Sequence, residues 1–432
     1  MSVLRLGINS LNASGGQSYH DGIGLNFATG VHYTKPTGGV VTRAPLTSLF
    51  TFTGGNESMY RTSSGLLQQA ATNTPRIEYG ANGECLGLLM EAARTNLCLQ
   101  SQTLGTTWAG TRATVSSDVG GVSAPDGTAT ADAIAEDGTA ANTHFLSQTV
   151  AFTSGTTYTA SVFLKSAART WAVMQLGAAA FGEIKSAYVN LSTGAVGTTS
   201  GTLTASVTSY ANGWHRLIIT AAATASASAN INIFAAEADN DAIFDGLTQN
   251  SIYAWGAQIE AGAFASSYIP TTTGSVARTA DRCIRTLGSE FAAAAGTFVV
   301  TGDVQNSVGA TPAIFSLHAN AVNGDEEMIL YANAGARRWL ITDNNTAHSN
   351  VLAGSITDGV AGKMACAYAA NDFDIAVNGV ISGVGSSSGG VPTVTRLDLM
   401  RQDESAITFG HIRTFDYYPT RLPNTFLTSA ST

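Results

Sequence analysis

Two patterns in this sequence have residue types suited to bond-breaking chemistry, and each needs a particular context to work. Gly385-Ser386-Ser387-Ser388-Gly389 has the spacing of a nucleophile elbow, in which a serine on a sharp strand-to-helix turn exposes its hydroxyl. That turn requires a buried apolar strand before the serine and a helix after it. Here the flanks are Gly, Ser and Val, followed by Val391-Pro392, so the stretch reads as a loop. Carboxylate pairs are the second pattern, because glycoside hydrolysis sets two acids about 5–10 Å apart across the scissile bond. On a strand this calls for alternating acids that point into one groove. Asp372-Phe373-Asp374 alternates but sits at a turn-like entry to a strand. Asp325-Glu326-Glu327 is consecutive, so its side chains leave on opposite faces. Both read as solvated turn acids, and the expectation is a chain that is not an enzyme.

Binding chemistry has better raw material. Glu237, Asp239, Asn240, Asp241 and Asp245 crowd one loop. Hard cations take roughly six to eight oxygen ligands from such loops, which makes Asp239, Asp241 and Asp245 candidates for a structural calcium. No EF-hand spacing is present, and no other cofactor is expected. Sugar binding asks for an aromatic platform flanked by amides and carboxylates, and Trp171, Tyr188, Trp214 and Trp255 are available. Trp255 alternates with apolar neighbours and reads as core. Phe163, Lys165, Gln258 and Glu260, joined by Asn232 and Phe234, form the expected concave ligand face. The competing expectation is that this face packs on a neighbouring subunit or domain.

Composition narrows the partners. Charged residues make up 12% of the chain, against about 25% in an ordinary soluble protein. The net charge of −9 supplies no basic footprint, so nucleic acid is not an expected partner. No apolar run approaches the ~18 residues of a membrane span, and no membrane insertion is expected. The seven histidines are scattered, and Cys85, Cys98, Cys283 and Cys366 form no CxxC pair. The start, Met-Ser-Val-Leu-Arg-Leu-Gly, lacks a basic-plus-apolar signal, which points to cytosolic synthesis with reduced thiols.

The elements that must hold these residues read as strands. From Thr107 to Pro270, short runs with period-2 alternation are separated by Gly, Asn and Ser turns, the pattern of a β-sandwich. In Thr157–Lys165, Tyr158, Ala160, Val162 and Leu164 share one face, with Thr159, Ser161, Phe163 and Lys165 on the other. In Ile252–Glu260 the same rule puts Tyr253, Trp255, Ala257 and Ile259 together, with Gln258 and Glu260 pointing away. A second all-β pattern runs from Gly296 to Leu427, with a hairpin turn at Asn378-Gly379. Pro419 ends its late strand because it has no ladder donor. The Ala-rich stretches Ala221–Ala229 and Ala292–Ala295 are too short or too broken for helices.

Several blocks carry resemblances. Pro75-Arg76-Ile77-Glu78-Tyr79, a turn at Asn82-Gly83, Gly87-Leu88-Leu89-Met90-Glu91 and Arg94-Thr95-Asn96-Leu97 resemble a block found near the N-terminus of tailed-bacteriophage head-spike, head-fibre and tail-fibre proteins. Tyr60-Arg61 and Ser64-Gly65-Leu66-Leu67 fit the same pattern. GTTYTASVFLK at Gly155–Lys165, YVNLSTG at Tyr188–Gly194, NGWHRL at Asn212–Leu217, YAWGAQIE at Tyr253–Glu260 and SYIPT at Ser267–Thr271 are similar to a galactose-binding-like carbohydrate-binding jelly roll. GTFVVTGDV at Gly296–Val304, KMACAYAANDFDIAVNG at Lys363–Gly379 and GHIRTFDYYPTRL at Gly410–Leu422 resemble concanavalin A-like or laminin-G-like sandwiches.

These resemblances imply an all-β chain in three parts. Residues 1–101 would be an irregular virion-attachment or oligomerisation region, 102–272 a jelly roll and 273–432 a second antiparallel sandwich. They also imply a virion structural protein, assembled in the host cytoplasm as a homotrimer against capsid, neck or tail proteins. Its sandwiches would adhere to host-surface glycans. A glycan-degrading virion enzyme and a purely architectural decoration or collar protein are the alternatives.

Overall fold

Period-2 alternation becomes antiparallel sheet throughout the described residues, among which helices are few and short, the C-terminal one spanning Asn424–Ala430. The structure is a computed structural model that describes residues 19–305, 311–319, 325–382, 389–401 and 408–432. The chain is all-β, as the alternation requires. None of the described helices is long and apolar enough to cross a membrane.

The chain divides into two compact units, and the division differs from the three consecutive parts expected. One unit is Met1–Thr53, Cys85–Ala92 and Asp281–Thr432; the other is Gly54–Glu84 and Ala93–Ala280. Residues 19–101 are thus shared out between the two sandwiches. The reason lies in their strands. Gly22–Asn26 pairs with Val31–Lys35 on one side and with Gly410–Tyr418 on the other. Cys85–Met90 adds to the same late strand, with Leu88 opposite Ile412 and Met90 opposite Gly410. Leu88, Leu89 and Met90 are buried there. Gly87 (φ +122) must be glycine, because a Cβ would stand 2.2 Å from the Ile412 carbonyl oxygen.

In this unit a sheet centred on Ala295–Val304 and Gly410–Tyr418 packs on a seven-stranded sheet that includes Ala313–His318 and Ala336–Asp343. Aromatic rings join them: Phe298 lies 4.7 Å from Phe315, and Phe315 lies 5.4 Å from Phe415, centroid to centroid. The hairpin turn falls at Asn378-Gly379, with φ of 46° and 80°, as a two-residue turn between strands of right-handed twist requires.

The other unit is the jelly-roll-like sandwich. One six-stranded sheet, called here the Phe234 sheet, runs Ala109–Thr111, Phe145–Phe152, Ala227–Ala236, Trp171–Leu176, Lys185–Asn190, Ala195–Ser200. The second, the Trp255 sheet, runs Ala113–Ser116, Asp132–Glu136, Asn250–Ala261, Thr157–Ser166, His215–Ala222, Thr204–Ser209. Leu146, Ile231, Ile233 and Met174 of the first sheet meet Tyr158, Ala160, Val162, Leu164 and Ile259 of the second in one core. Burying each large aliphatic side chain there contributes roughly 1.5–3 kcal/mol.

The parity expected for Thr157–Lys165 holds, but that for Ile252–Glu260 does not. Ser161 pairs with Gln258 and Phe163 with Trp255, so the Trp255 strand carries one extra residue at this point. Gly256 absorbs the bulge at φ +64. The bulge reverses the faces, so that Ile252 and Ala254 join Ala257 and Ile259 between the sheets. Trp255 turns outward instead, into a second core with Phe163, Trp214, Tyr268, Met59 and Leu67.

Candidate functional site

The expected ligand face is not assembled as a face. Phe163, Gln258 and Glu260 have no exposed surface, and Lys165 is half-buried on the same Trp255 sheet. Gln258 accepts the Ile269 N–H at 2.8 Å and donates to Glu260 at 2.8 Å. Glu260 takes the Ser266 N–H at 2.8 Å and its hydroxyl at 2.6 Å, with Arg94 at 3.5 Å. Phe163 packs edge-on to Trp255 at 5.4 Å. These groups bind the Ser266–Ile269 return of the chain to its own sheet and are spent on structure. Asn232 and Phe234 lie on the other sheet.

The outward face of the Phe234 sheet brings binding chemistry together. Alternation sends Ile231 and Ile233 into the core and leaves Asn230, Asn232 and Phe234 facing out. Register then lines up two cross-strand rows. One is polar, Ser147–Asn232–Gln175–Ser186; the next is apolar, Phe145–Phe234–Val173–Tyr188. A third, Ala236–Trp171–Asn190, borders them. None of these side chains is charged.

Val173, Phe234 and Ala236 are buried against Phe145, Trp171, Tyr188 and Ala242, so the surface available for stacking beside the polar strip is that of the partly exposed rings. Phe145 and Phe234 contact at 4.6 Å, and Phe145, Trp171 and Tyr188 remain partly exposed. Asn232 Nδ2 donates to Gln175 Oε1 at 3.0 Å. Its Oδ1 is buried and has no hydrogen-bond partner, although the residue is only 9% exposed. A buried acceptor left unmade costs about 1–3 kcal/mol, so a donor brought to it is worth more than one brought to a solvated oxygen.

The calcium candidates border this face without converging. Asp239 accepts the Thr198 N–H at 2.7 Å and its hydroxyl at 3.1 Å. Asp241 accepts Ile243 N–H of its own loop, and Asp245 accepts Ala141 N–H at 2.8 Å. Glu237 pairs with Arg169 at 3.2 Å. Among the described residues no group of three or more His, Cys, Asp or Glu is placed to hold a metal ion. The Tyr188 hydroxyl is held above its ordinary pKa by burial first, and then by the fields of Asp241 and Asp239.

The groups weighed for catalysis are held in structural contacts. Arg421 binds Asp372 at 2.7 Å and also contacts Asp374. Glu326 accepts the N–H groups of Asn344 and Thr393. A pair not singled out in the sequence, Ser316 and His318, has Oγ 2.7 Å from Nε2, but the Ser316 hydroxyl also donates to the Arg401 carbonyl and both side chains are buried. Ser386, Ser387 and Ser388 lie outside the described residues. All four cysteines are free and buried, and burial raises their thiol pKa values.

Sequence parity placed Asn232 and Phe234 on one face of their strand but did not give their cross-strand neighbours Phe145, Gln175 and Ser147. Those become neighbours only through pairing of strands distant in sequence, for which local alternation carries no signal.

No family model and no curated protein matches the chain. Among solved structures it is similar to the Ruminococcus gnavus IT-sialidase CBM40 bound to alpha2,3 sialyllactose, at 16% identity over 32% of this chain and 83% of that one, with a TM-score of 0.28. It is also similar to Trypanosoma rangeli sialidase, at 9% identity over 70% of this chain and 60% of that one, TM-score 0.29. A third is the mouse laminin alpha1 chain, domains LG4-5, at 9% identity over 64% and 86%, TM-score 0.24.

Proposed function

We propose that this protein is a non-catalytic adhesion component of a tailed-bacteriophage particle, a head fibre, spike or tail fibre that holds host-surface glycans. The observation that carries the glycan part is the uncharged aromatic–amide face of the Phe234 sheet, with the buried, unpartnered Asn232 Oδ1 at its centre. A pyranose ring offers an apolar face to stack on Trp171, Phe145 or Tyr188, and hydroxyl donors for the amide row. The virion part is supported by the blocks around Gly87–Glu91 and Arg94–Leu97, which resemble those of phage fibre and spike proteins. Capsid, neck or tail proteins would be its partners, and trimeric assembly would multiply weak single-site contacts into avidity.

Binding of the full chain to a glycan array, followed by solution titration of the best hit, tests the reading. Trp171→Ala and Asn232→Ala are each expected to weaken that hit at least about tenfold while the thermal transition persists, tenfold being 1.4 kcal/mol of binding energy. An array silent for the full chain, together with tight binding to purified capsid or tail, would replace adhesion by an architectural role. Immunogold labelling of intact virions with antibody to residues 296–432 tests the particle assignment, and unlabelled virions would remove it.

A further inference from the structure

Resting on the glycan-binding reading above, we infer that the Phe234-sheet face selects uncharged or amine-bearing glycans and rejects acidic ones, with Asp239 and Asp241 setting that preference. Three observations converge on this.

The first is the absence of any cation in the three rows, which leaves a sugar carboxylate no partner for its charge. The second is Asn232 Oδ1, a buried acceptor that only a donor can satisfy. An ionised carboxylate offers acceptors alone, whereas a hydroxyl, an amide N–H or an ammonium offers a proton.

The third is the placement of the two acids. Asp239 is fixed at the rim by both Thr198 donors, at 2.7 and 3.1 Å. It lies beside the indole: a Cβ built on Gly197 would meet Asp239 Oδ1 at 2.3 Å and the Trp171 ring at 2.6 Å. Glycine at 197 therefore lets the carboxylate approach the stacking ring. Among the described residues neither Asp239 nor Asp241 forms an ion pair. Their fields reach the Tyr188 hydroxyl in the aromatic row, where both oppose a second negative charge.

A like charge at this rim is partly screened, so the discrimination is expected to be largest at low ionic strength and to shrink as the Debye length falls below about 10 Å. The experiment uses the full chain and matched glycans: each neutral oligosaccharide beside its sialylated and uronate-bearing counterpart, titrated at low and at physiological salt. The neutral member should bind on the order of tenfold tighter at low salt, and Asp239→Asn/Asp241→Asn together should bring the pair to within about twofold. Asparagine at 239 keeps an acceptor for Thr198, and the single variant Asp241→Asn gives a second reading; unchanged thermal transitions show that both fold.

The possible failures separate. If matched neutral and acidic glycans bind equally, and Asn232→Ala weakens both, the glycan site stands and the charge selection falls. Tighter binding of the acidic members, or a preference that the double variant leaves intact, also overturns it. If no member of any pair binds, the glycan-binding reading itself is lost and this inference goes with it.

Discussion

Asn96 shows how a motif residue can be required by the fold alone. Its Nδ2 donates to the Ala257 and Ile269 carbonyls at 3.1 and 2.8 Å, and its Oδ1 accepts Cys98 and Ile259 N–H at 3.0 and 3.1 Å. A carboxamide has two donor protons and two acceptor lone pairs, so every valence is used. Asn96→Ala would leave four backbone groups at a fully buried site without partners, and a loss on the order of 3 kcal/mol is expected. A urea titration measures it; a loss under about 1 kcal/mol would mean that water replaces the amide. Gln258 and Glu260 belong to the same class of residue. Their amide and carboxylate chemistry suits a sugar, but residue type does not reveal whether a polar group meets ligand or backbone. What separates them from Asn232 is one unpartnered oxygen, visible only once the surrounding strands are placed. Of the aromatic candidates, Trp171 and Tyr188 lie partly exposed on the outward face of the Phe234 sheet, whereas Trp214 and Trp255 are fully buried.

At the scale of the element, alternation predicted the strands well where pairing is regular. Tyr158, Ala160, Val162 and Leu164 share the inter-sheet core as their parity requires. The same rule failed for Trp255 because one inserted residue changes the parity of everything on one side of it. A glycine inside a strand is the available signal, and Gly256 is that residue. Its φ of +64° and a Cβ position 2.9 Å from the Phe163 ring make it costly to replace. Gly83 is a matched control, at φ +79° in a turn with nothing within 4 Å of its Cβ. Both alanine variants accept the left-handed cost of roughly 1–2 kcal/mol, but only Gly256→Ala also displaces a buried ring. Gly256→Ala is therefore expected to lose at least about 1 kcal/mol more than Gly83→Ala in denaturant unfolding. Equal losses would mean that the bulge relaxes without moving Phe163, and that Trp255 is not locked into its outward core.

Across the whole molecule, the resemblances implied consecutive domains because each covers one continuous stretch, and strand pairing across long gaps leaves no trace in the local sequence. The two units are instead interleaved along the chain. Residues 54–84 give Met59 and Leu67 to the core that holds Phe163, Trp214 and Trp255, and Arg94–Asn96 pairs with Val276–Arg278. A fragment cut at 102–272 loses all of these while keeping three large aromatic rings that they cover. That fragment is expected to bind a hydrophobic dye and to melt without a sharp transition. A chain of residues 54–280, with Cys85–Ala92 replaced by a Gly/Ser linker of equal length, retains both cores and is expected to melt cooperatively. The linker is needed because Leu88, Leu89 and Met90 are buried in the other unit and would otherwise be exposed. Differential scanning calorimetry of the two fragments decides the matter. A cooperative transition for 102–272 at the temperature of the longer chain would show that the N-terminal blocks are dispensable to this sandwich. Failure of both would show that it folds only within the full chain. If 54–280 alone folds and reproduces any glycan binding measured for the full chain, residues 54–84 and 93–101 are part of the scaffold that presents the Phe234-sheet face, and the proposed particle attachment falls to the other unit.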